Sequence, residues 1–272
     1  MEKAVMIIFY VVIVLAFLYL AKKIADGLTK FDDDEAIEKD GNVAVALRRF
    51  GLYVGMCISL AGVMTGGVYK TDVLYFVSHG FIATIIFFLA HYINDFLIVP
   101  GVRNNDLVKE GNAPTGFAEA GSFIATGVIL NGAFTGEVGG LLSCAVFFFL
   151  GQAMLIIVLF IHRKVFRLNI VALIKEGNLS AGIAIAGLLI SYSLILRVSI
   201  AGDFLGWLVS LETFAVTAVT GMVGLICFQK LADILFLPKS HFSENLERNN
   251  IAGVIVVQAI TIALSLVISR LL

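Results

Sequence analysis

Charge is scarce in this chain. Only 14% of its 272 residues are Asp, Glu, Lys or Arg, against roughly 25% in an ordinary soluble domain. That excludes a mostly solvated surface. The formal net charge is −1, which excludes a general pull toward nucleic acid. Cysteine is scarce too: Cys57, Cys144 and Cys227 are odd in number, far apart and set in apolar runs. A disulfide framework or a CxxC metal site is excluded, and the three read as small buried hydrophobes. There is no GxSxG, no HExxH, no P-loop and no His pair at metal spacing. The sequence therefore offers no catalytic residue, no metal ligand set and no cofactor motif.

What is present is apolar. Hydrophobic residues make up 60% of the chain, with 22 Phe and only 3 Pro. A membrane-spanning helix needs about 20 mostly apolar residues. Eight runs qualify: 4–21, 43–65, 73–99, 113–135, 141–161, 179–201, 204–228 and 251–269. The first is preceded only by Lys3 and followed by "AKKIADGL" rather than a small-residue cleavage pattern, so it reads as a retained helix. The lipid bilayer is thus the first partner the sequence names.

The basic residues are unevenly shared. Of 19 Lys and Arg, all but Lys3, Lys70, Arg197 and Arg270 lie around the four connections that join odd spans to even ones. Lys22, Lys23, Arg48, Arg103, Lys109, Arg163, Arg167 and Lys175 are among them. Basic loops stay in the cytoplasm. The connections are therefore expected inside and both termini outside.

One short polar phrase recurs in these connections. "EKDGN" ends at Asn42, "VKEGN" at Asn112, "IKEGN" at Asn178, and a worn "ERNN" at Asn250. These asparagines are almost evenly spaced, roughly 70 residues apart, which marks an internal repeat. Gly66, Gly136 and Gly202 stand at one constant distance after the motif Asn of their copies. Gly51, Gly121 and Gly187 stand at another, with Ala259 at that place in the fourth copy. The expected architecture is an all-α membrane protein. Its eight transmembrane helices form four tandem two-helix repeats in parallel orientation: 1–66, 67–136, 137–202 and 203–272. Together they make one integral membrane domain.

The phrase has a local task. Glycine takes the left-handed conformation that ends a helix, and asparagine is a good N-cap for the next one. Gly41–Asn42, Gly111–Asn112, Gly177–Asn178 and Asn249–Asn250 are therefore expected hinges. Tails such as "VFRLNIVALIK" could form short amphipathic helices before them. Two readings of the hinge stay open. Each is simply a corner, or the four form a ring of Asn and acidic groups about a common axis. The acidic members would be Asp40, Glu110 and Glu176, with Arg248 in the fourth copy.

Charges inside a span are costly and are functional candidates by default. Arg49, Glu119, Arg197 and Glu212 qualify. Arg49 and Glu119 hold the same place in the first and second copies, which suggests an ion pair between successive repeats. Arg197 either pairs with Asp203 or snorkels to water. His91 and His162 read as interfacial, and the run Asp32–Asp33–Asp34–Glu35 as a solvated loop or a weak cation site. Small residues such as Gly51, Gly55, Gly116, Ala120, Gly182 and Ala186 mark close helix contacts and place the even-numbered spans in the inner layer.

At these corners the sequence resembles the domain of unknown function 350 family, the YjfL-type bacterial inner-membrane proteins. The family's mark is "GN" followed by small residues and a glycine. "EKDGNVAVALRRFG", "KEGNAPTGFAEAG" and "KEGNLSAGIAIAG" match it, while "ERNNIAGVIVVQA" has drifted. The resemblance covers roughly residues 36–272. It implies a multi-pass protein of the bacterial inner membrane with no cofactor. It further implies an envelope role, with membrane-stress or other envelope proteins as partners, and leaves a homo-oligomer open.

Two functions fit. A structural or scaffold component of envelope maintenance explains the nonpolar spans and the tiny outer turns. A channel or transporter for a small ion or polyamine-like solute explains the repeat and the few buried charges. An enzyme lacks any reactive constellation. The expected topology is testable with single cysteines and an impermeant thiol reagent on intact cells. Positions 69 and 137 should label from outside, and positions 34, 105, 175 and 240 should not. Outside labelling of position 34 or 175 would invert the topology.

Overall fold

The structure is a computed structural model that describes residues 2–64, 70–98, 104–136, 140–165 and 169–272. Gly66, Tyr69, Arg103, Glu137 and Arg167 lie outside the described residues, as do the side chains of Lys3 and Lys70. The described chain is a fourfold succession of long helix, short helix and long helix. The first set is α1 (Glu2–Leu28), α2 (Asp33–Glu38) and α3 (Val43–Val63). The second is α4 (Lys70–Ile98), α5 (Asn104–Lys109) and α6 (Ala113–Phe134). The third is α7 (Gly140–Val165), α8 (Ile170–Lys175) and α9 (Leu179–Ile200). The fourth is α10 (Trp207–Phe236), α11 (Phe242–Glu247) and α12 (Ile251–Leu271).

Eight of these helices are long and apolar enough to cross a membrane. They match the eight expected spans. The starts after the motif Asn agree to the residue, because an Asn cap fixes a helix start locally. The outer helices overrun their expected ends: α1 continues to Leu28 and α10 to Phe236. Lys22, Lys23 and Lys230 ended the apolar runs, but charge does not end a helix.

The long helices form two layers. α3, α6, α9 and α12 stand side by side in a row, each packed on the next. The others lie against the grooves of that row: α1 on α3, α4 on α3 and α6, α7 on α6 and α9, α10 on α9 and α12. The inner row is the expected layer of even-numbered spans.

Glycine makes the row. A methyl group at Gly51 would lie 2.3 Å from Ala120 Cα, one at Gly55 2.3 Å from Phe123 O, and one at Gly62 2.7 Å from Asn131 Cα. The contacts climb in step, so α3 and α6 run in the same direction. The α6–α9 contact repeats the device: Gly121 would meet Ala186 Cα at 2.4 Å, and Gly182 would meet Pro114 O at 2.4 Å. Lipid tails are as apolar as leucine, so there is no hydrophobic gain in bringing spans together. Dispersion between closely approached backbones supplies it instead. At the end opposite the motif corners, Gly136 (φ 134°) and Gly202 (φ 133°) share one backbone conformation. There the N–H of Gly202 donates to Thr135 O at 3.1 Å.

Phenylalanine fills the space between the layers. Phe17, Phe76, Phe87, Phe123, Phe148 and Phe214 are buried there, with Phe87 stacked on Phe123 at 5.7 Å. The three cysteines are free. None is fully buried as expected: Cys57 and Cys144 are half-buried and Cys227 is exposed.

Gly127 sits deepest in the interlock, where a methyl group would lie 2.1 Å from Gly55 O. A backbone atom cannot rotate aside. Gly127→Ala should therefore lose about 1–3 kcal/mol or more, read as a lower thermal midpoint in detergent. Gly224→Ala, with nothing within 4 Å, should not. Equal midpoints would show that the close approach contributes nothing.

Candidate functional site

The four corners share one geometry. Gly41, Gly111, Gly177 and Asn249 all take positive φ: 64°, 83°, 82° and 53°. Asn249 replaces glycine without breaking the turn because asparagine tolerates that region best after glycine. The next residue's N–H closes the short helix: Asn112 to Leu107 O at 2.9 Å, Asn178 to Leu173 O at 2.9 Å, and Asn250 to Asn245 O at 2.7 Å. Its side-chain oxygen then caps the long helix. Asn42 Oδ1 accepts from Ala44 N, Asn112 Oδ1 from Thr115 N, Asn178 Oδ1 from Ala181 N and Asn250 Oδ1 from Gly253 N, all at 2.9–3.3 Å.

The other half of the amide reaches across to the following corner. Asn42 Nδ2 donates to Val108 O at 3.0 Å, Asn112 Nδ2 to Ile174 O at 3.0 Å, and Asn178 Nδ2 to Leu246 O at 2.7 Å. Each acceptor lies in the last turn of a short helix and also accepts the N–H of the positive-φ residue of its own corner, from Gly111, Gly177 and Asn249, at 3.1 Å. Asparagine carries both a donor and an acceptor; aspartate or serine would cap but could not make this latch in the same way. Asn250 Nδ2 turns back to Asn245 Oδ1 at 2.7 Å within its own corner. The latches therefore form an open row, not the ring that a common axis would give. Asp40, Glu110, Glu176 and Arg248 stay exposed outside it.

A second polar line crosses the row at its far end. Asn131 of α6 donates to Ile58 O on α3 at 2.9 Å. It accepts from Arg197 Nε on α9 at 2.7 Å. Asn131 and Arg197 stand at one distance after Asn112 and Asn178, the caps of their helices. Arg197 thus bonds Asn131 rather than pairing with Asp203 or simply snorkelling. Glu212 is exposed in the second turn of α10 and belongs to neither line.

The buried charges gather beside the first corner. Arg48 Nη2 donates to Asp33 at 2.8 Å and Nη1 to Asn105 at 2.8 Å. Arg48 Nε lies 3.8 Å from Glu119. Arg49 holds Asp33 at 3.1 Å and also pairs with Asp26. The expected Arg49–Glu119 pair is therefore corrected to Arg48–Glu119. Successive helical residues face different ways: Arg48 faces α6, while Arg49 faces α1 and α2. The acidic run is only partly solvated. Asp32 is exposed and caps α2, Asp33 is buried between the two arginines, Asp34 is half-exposed and Glu35 exposed. The ammonium of Lys22 beside Asp34 holds its carboxyl below the usual carboxylate range. Asp26, Asp33, Arg48 and Asn105 were missed as site residues; Arg48, adjacent to Arg49, was the available signal.

Polar side chains also meet inside the layers. Asn94 Nδ2 donates to Thr126 Oγ1 at 3.1 Å and to Gln152 Oε1 at 3.0 Å where α4, α6 and α7 converge. His162 Nε2 lies 2.9 Å from Gln229 Oε1 where α7 meets α10, beside Tyr192 of α9. Thr126 and Tyr192 likewise stand at one distance after the capping Asn112 and Asn178. His162 is therefore buried rather than interfacial, and His91 stacks on Phe123 at 3.8 Å. Among the described residues no group of His, Cys, Asp and Glu could hold a metal ion. At the far end a cavity of about 420 Å³ opens between α4, α7 and α10, lined by Tyr75, His79, Phe147 and Asp203 among others.

Two comparisons bear on this architecture. The model of the family described as Domain of Unknown Function (DUF350) matches residues 1–134 and again 137–272. The chain belongs to this family. The match extends the resemblance from residues 36–272 to nearly the whole chain, α1 included. A UPF0719 transmembrane protein of Aquifex aeolicus (strain VF5) is 24% identical over 226 residues, 82% of this chain and 83% of its own length. No solved structure matches the chain. The family's corner motif thus has a physical content here: a positive-φ residue, a cap and a latch.

The two functions of the amide can be separated. Asn178→Asp keeps the cap but removes the donor to Leu246 O and sets a carboxylate oxygen against that carbonyl, a loss of about 0.5–1.5 kcal/mol for the hydrogen bond. Asn178→Ala should add about 0.5–2 kcal/mol for the cap. Asn250→Asp, which breaks no latch between corners, should cost less than Asn178→Asp. Thermal unfolding in detergent gives the order. Wild-type stability in Asn178→Asp would refute the latch.

Proposed function

We propose that this multi-pass membrane protein is a structural scaffold of the bacterial inner membrane, acting in envelope maintenance. It is built as four tandem two-helix repeats inserted in the same sense, with the corners in the cytoplasm and both termini outside. The repeat reading is supported by two separate family-model matches in one chain and by corner geometry that recurs four times. The sidedness is supported by the distribution of Lys and Arg.

One observation carries the scaffold reading. The inner row is closed backbone to backbone at Gly51, Gly55, Gly121, Gly127 and Gly182, and hydrogen-bonded across at both ends. Such a row resists the sliding or rocking that alternating access needs. It presents a stiff plate to lipid and to neighbouring envelope proteins.

A second reading, a channel or transporter for a small ion, is favoured by one seam. Arg48, Glu119, Asn94, Thr126 and Gln152 are all buried between α3, α4, α6 and α7. Buried ionisable groups mark ion pathways in other membrane proteins. Proteoliposomes decide between the two. Flux of protons, Na⁺, K⁺ and a polyamine should not exceed that of empty vesicles. Specific flux lost in Glu119→Gln would overturn the scaffold reading and establish the second.

A further inference from the structure

The contact between α9 and α12 departs from the rest of the row. Gly62 and Gly132 hold the same place in the first and second copies, and each lets the far ends of two helices touch. The third copy has Val198 at that place. Val198 lines a groove of about 600 Å³ between the far ends of α9 and α12.

Two arginines line this groove. Arg197 lies in the last turn of α9 and Arg270 in the last turn of α12. Either alone would suit the carbonyl end of its own helix. Together they set two like charges into one groove, and the lining contains no carboxylate. Among the described residues neither arginine takes part in an ion pair. Arg197 spends its Nε on Asn131, which fixes the guanidinium and leaves its Nη groups uncommitted. Apart from Ser269, whose hydroxyl donates to Leu266 O at 2.9 Å, the remaining walls are aliphatic: Leu194, Val198, Leu266, Val267 and Leu271.

The depth is also defined. Helices of 22 and 21 residues rise about 1.5 Å per residue, which spans the hydrocarbon layer of about 30 Å. Their ends therefore reach the headgroups. A ligand for the groove must carry an anion at headgroup depth and apolar chains below it.

We infer that this groove binds the phosphate of an anionic phospholipid, with Arg197 and Arg270 clamping the phosphate and the aliphatic walls taking an acyl chain. A guanidinium pairs with phosphate through charge-assisted, fork-like hydrogen bonds. The lipid stands where the glycine contact is missing, and so closes the one open seam of the inner row.

Native mass spectrometry of the full-length protein tests this, with phosphatidylglycerol and phosphatidylcholine added to the detergent. Phosphatidylglycerol should be retained and should raise the thermal midpoint; phosphatidylcholine, whose phosphate is neutralised by choline, should do neither. Arg270→Gln is exposed and leaves the latches intact. It should weaken phosphatidylglycerol retention about tenfold, as expected for one lost guanidinium–phosphate contact. Arg197→Lys keeps the charge and should lose less. Equal retention of both lipids, or unchanged retention in Arg270→Gln, would overturn the site. An equal, Arg270-dependent rise in midpoint with inorganic phosphate alone would assign a soluble anion and overturn the lipid.

Discussion

Direct contact between helix backbones is the constraint on which this structure depends. In lipid, side chains gain little by leaving one apolar neighbour for another. Association must come from contacts closer than lipid can make. Gly51, Gly55, Gly121, Gly127 and Gly182 provide them, and each leaves no room for even one methyl group. Because α6 carries glycines toward both α3 and α9, it is gripped on two sides and becomes the most buried span. The outer helices pack less closely and need the phenylalanines to fill the gap between layers.

The hydrogen-bonded lines follow from that closeness. A short amide can reach a neighbouring carbonyl only when the backbones are already near. Asn42, Asn112 and Asn178 do so at one end, and Asn131 with Arg197 at the other. Each bond satisfies a carbonyl or an amide that would be expensive to leave unpaired in a membrane. The row is thus fastened at both ends and filled between them. It stops at α12: Asn250 bonds within its own corner, and Val198 lines a groove between the far ends of α9 and α12.

The charged cluster beside the first corner does a different task. Arg48 and Arg49 draw α1, α2, α5 and α6 together through Asp26, Asp33, Asn105 and Glu119. Buried pairs of this kind are weak evidence of stability, but removing one partner is costly because the other is stranded, typically by about 3–5 kcal/mol. The cluster therefore fixes how α1, α2 and α3 dock on α5 and α6.

Local features were legible in the residues alone. Eight apolar runs gave eight spans, and the Gly–Asn phrase placed four helix starts to the residue, because capping involves only neighbours a few positions away. The small-residue spacing also placed the even spans inside. Only the tertiary structure decided the pairings. Arg48 and not Arg49 faces Glu119, because a step of one residue turns a helical side chain by about 100° and repeat alignment cannot resolve that turn. Asp33 is buried although it sits in an acidic run, because the run folds back onto α3. The asparagines form a row and not a ring, because whether the last corner meets the first depends on how each helix pair is rotated against the next. That rotation is set by side-chain shape at every contact, and no single stretch of sequence contains it.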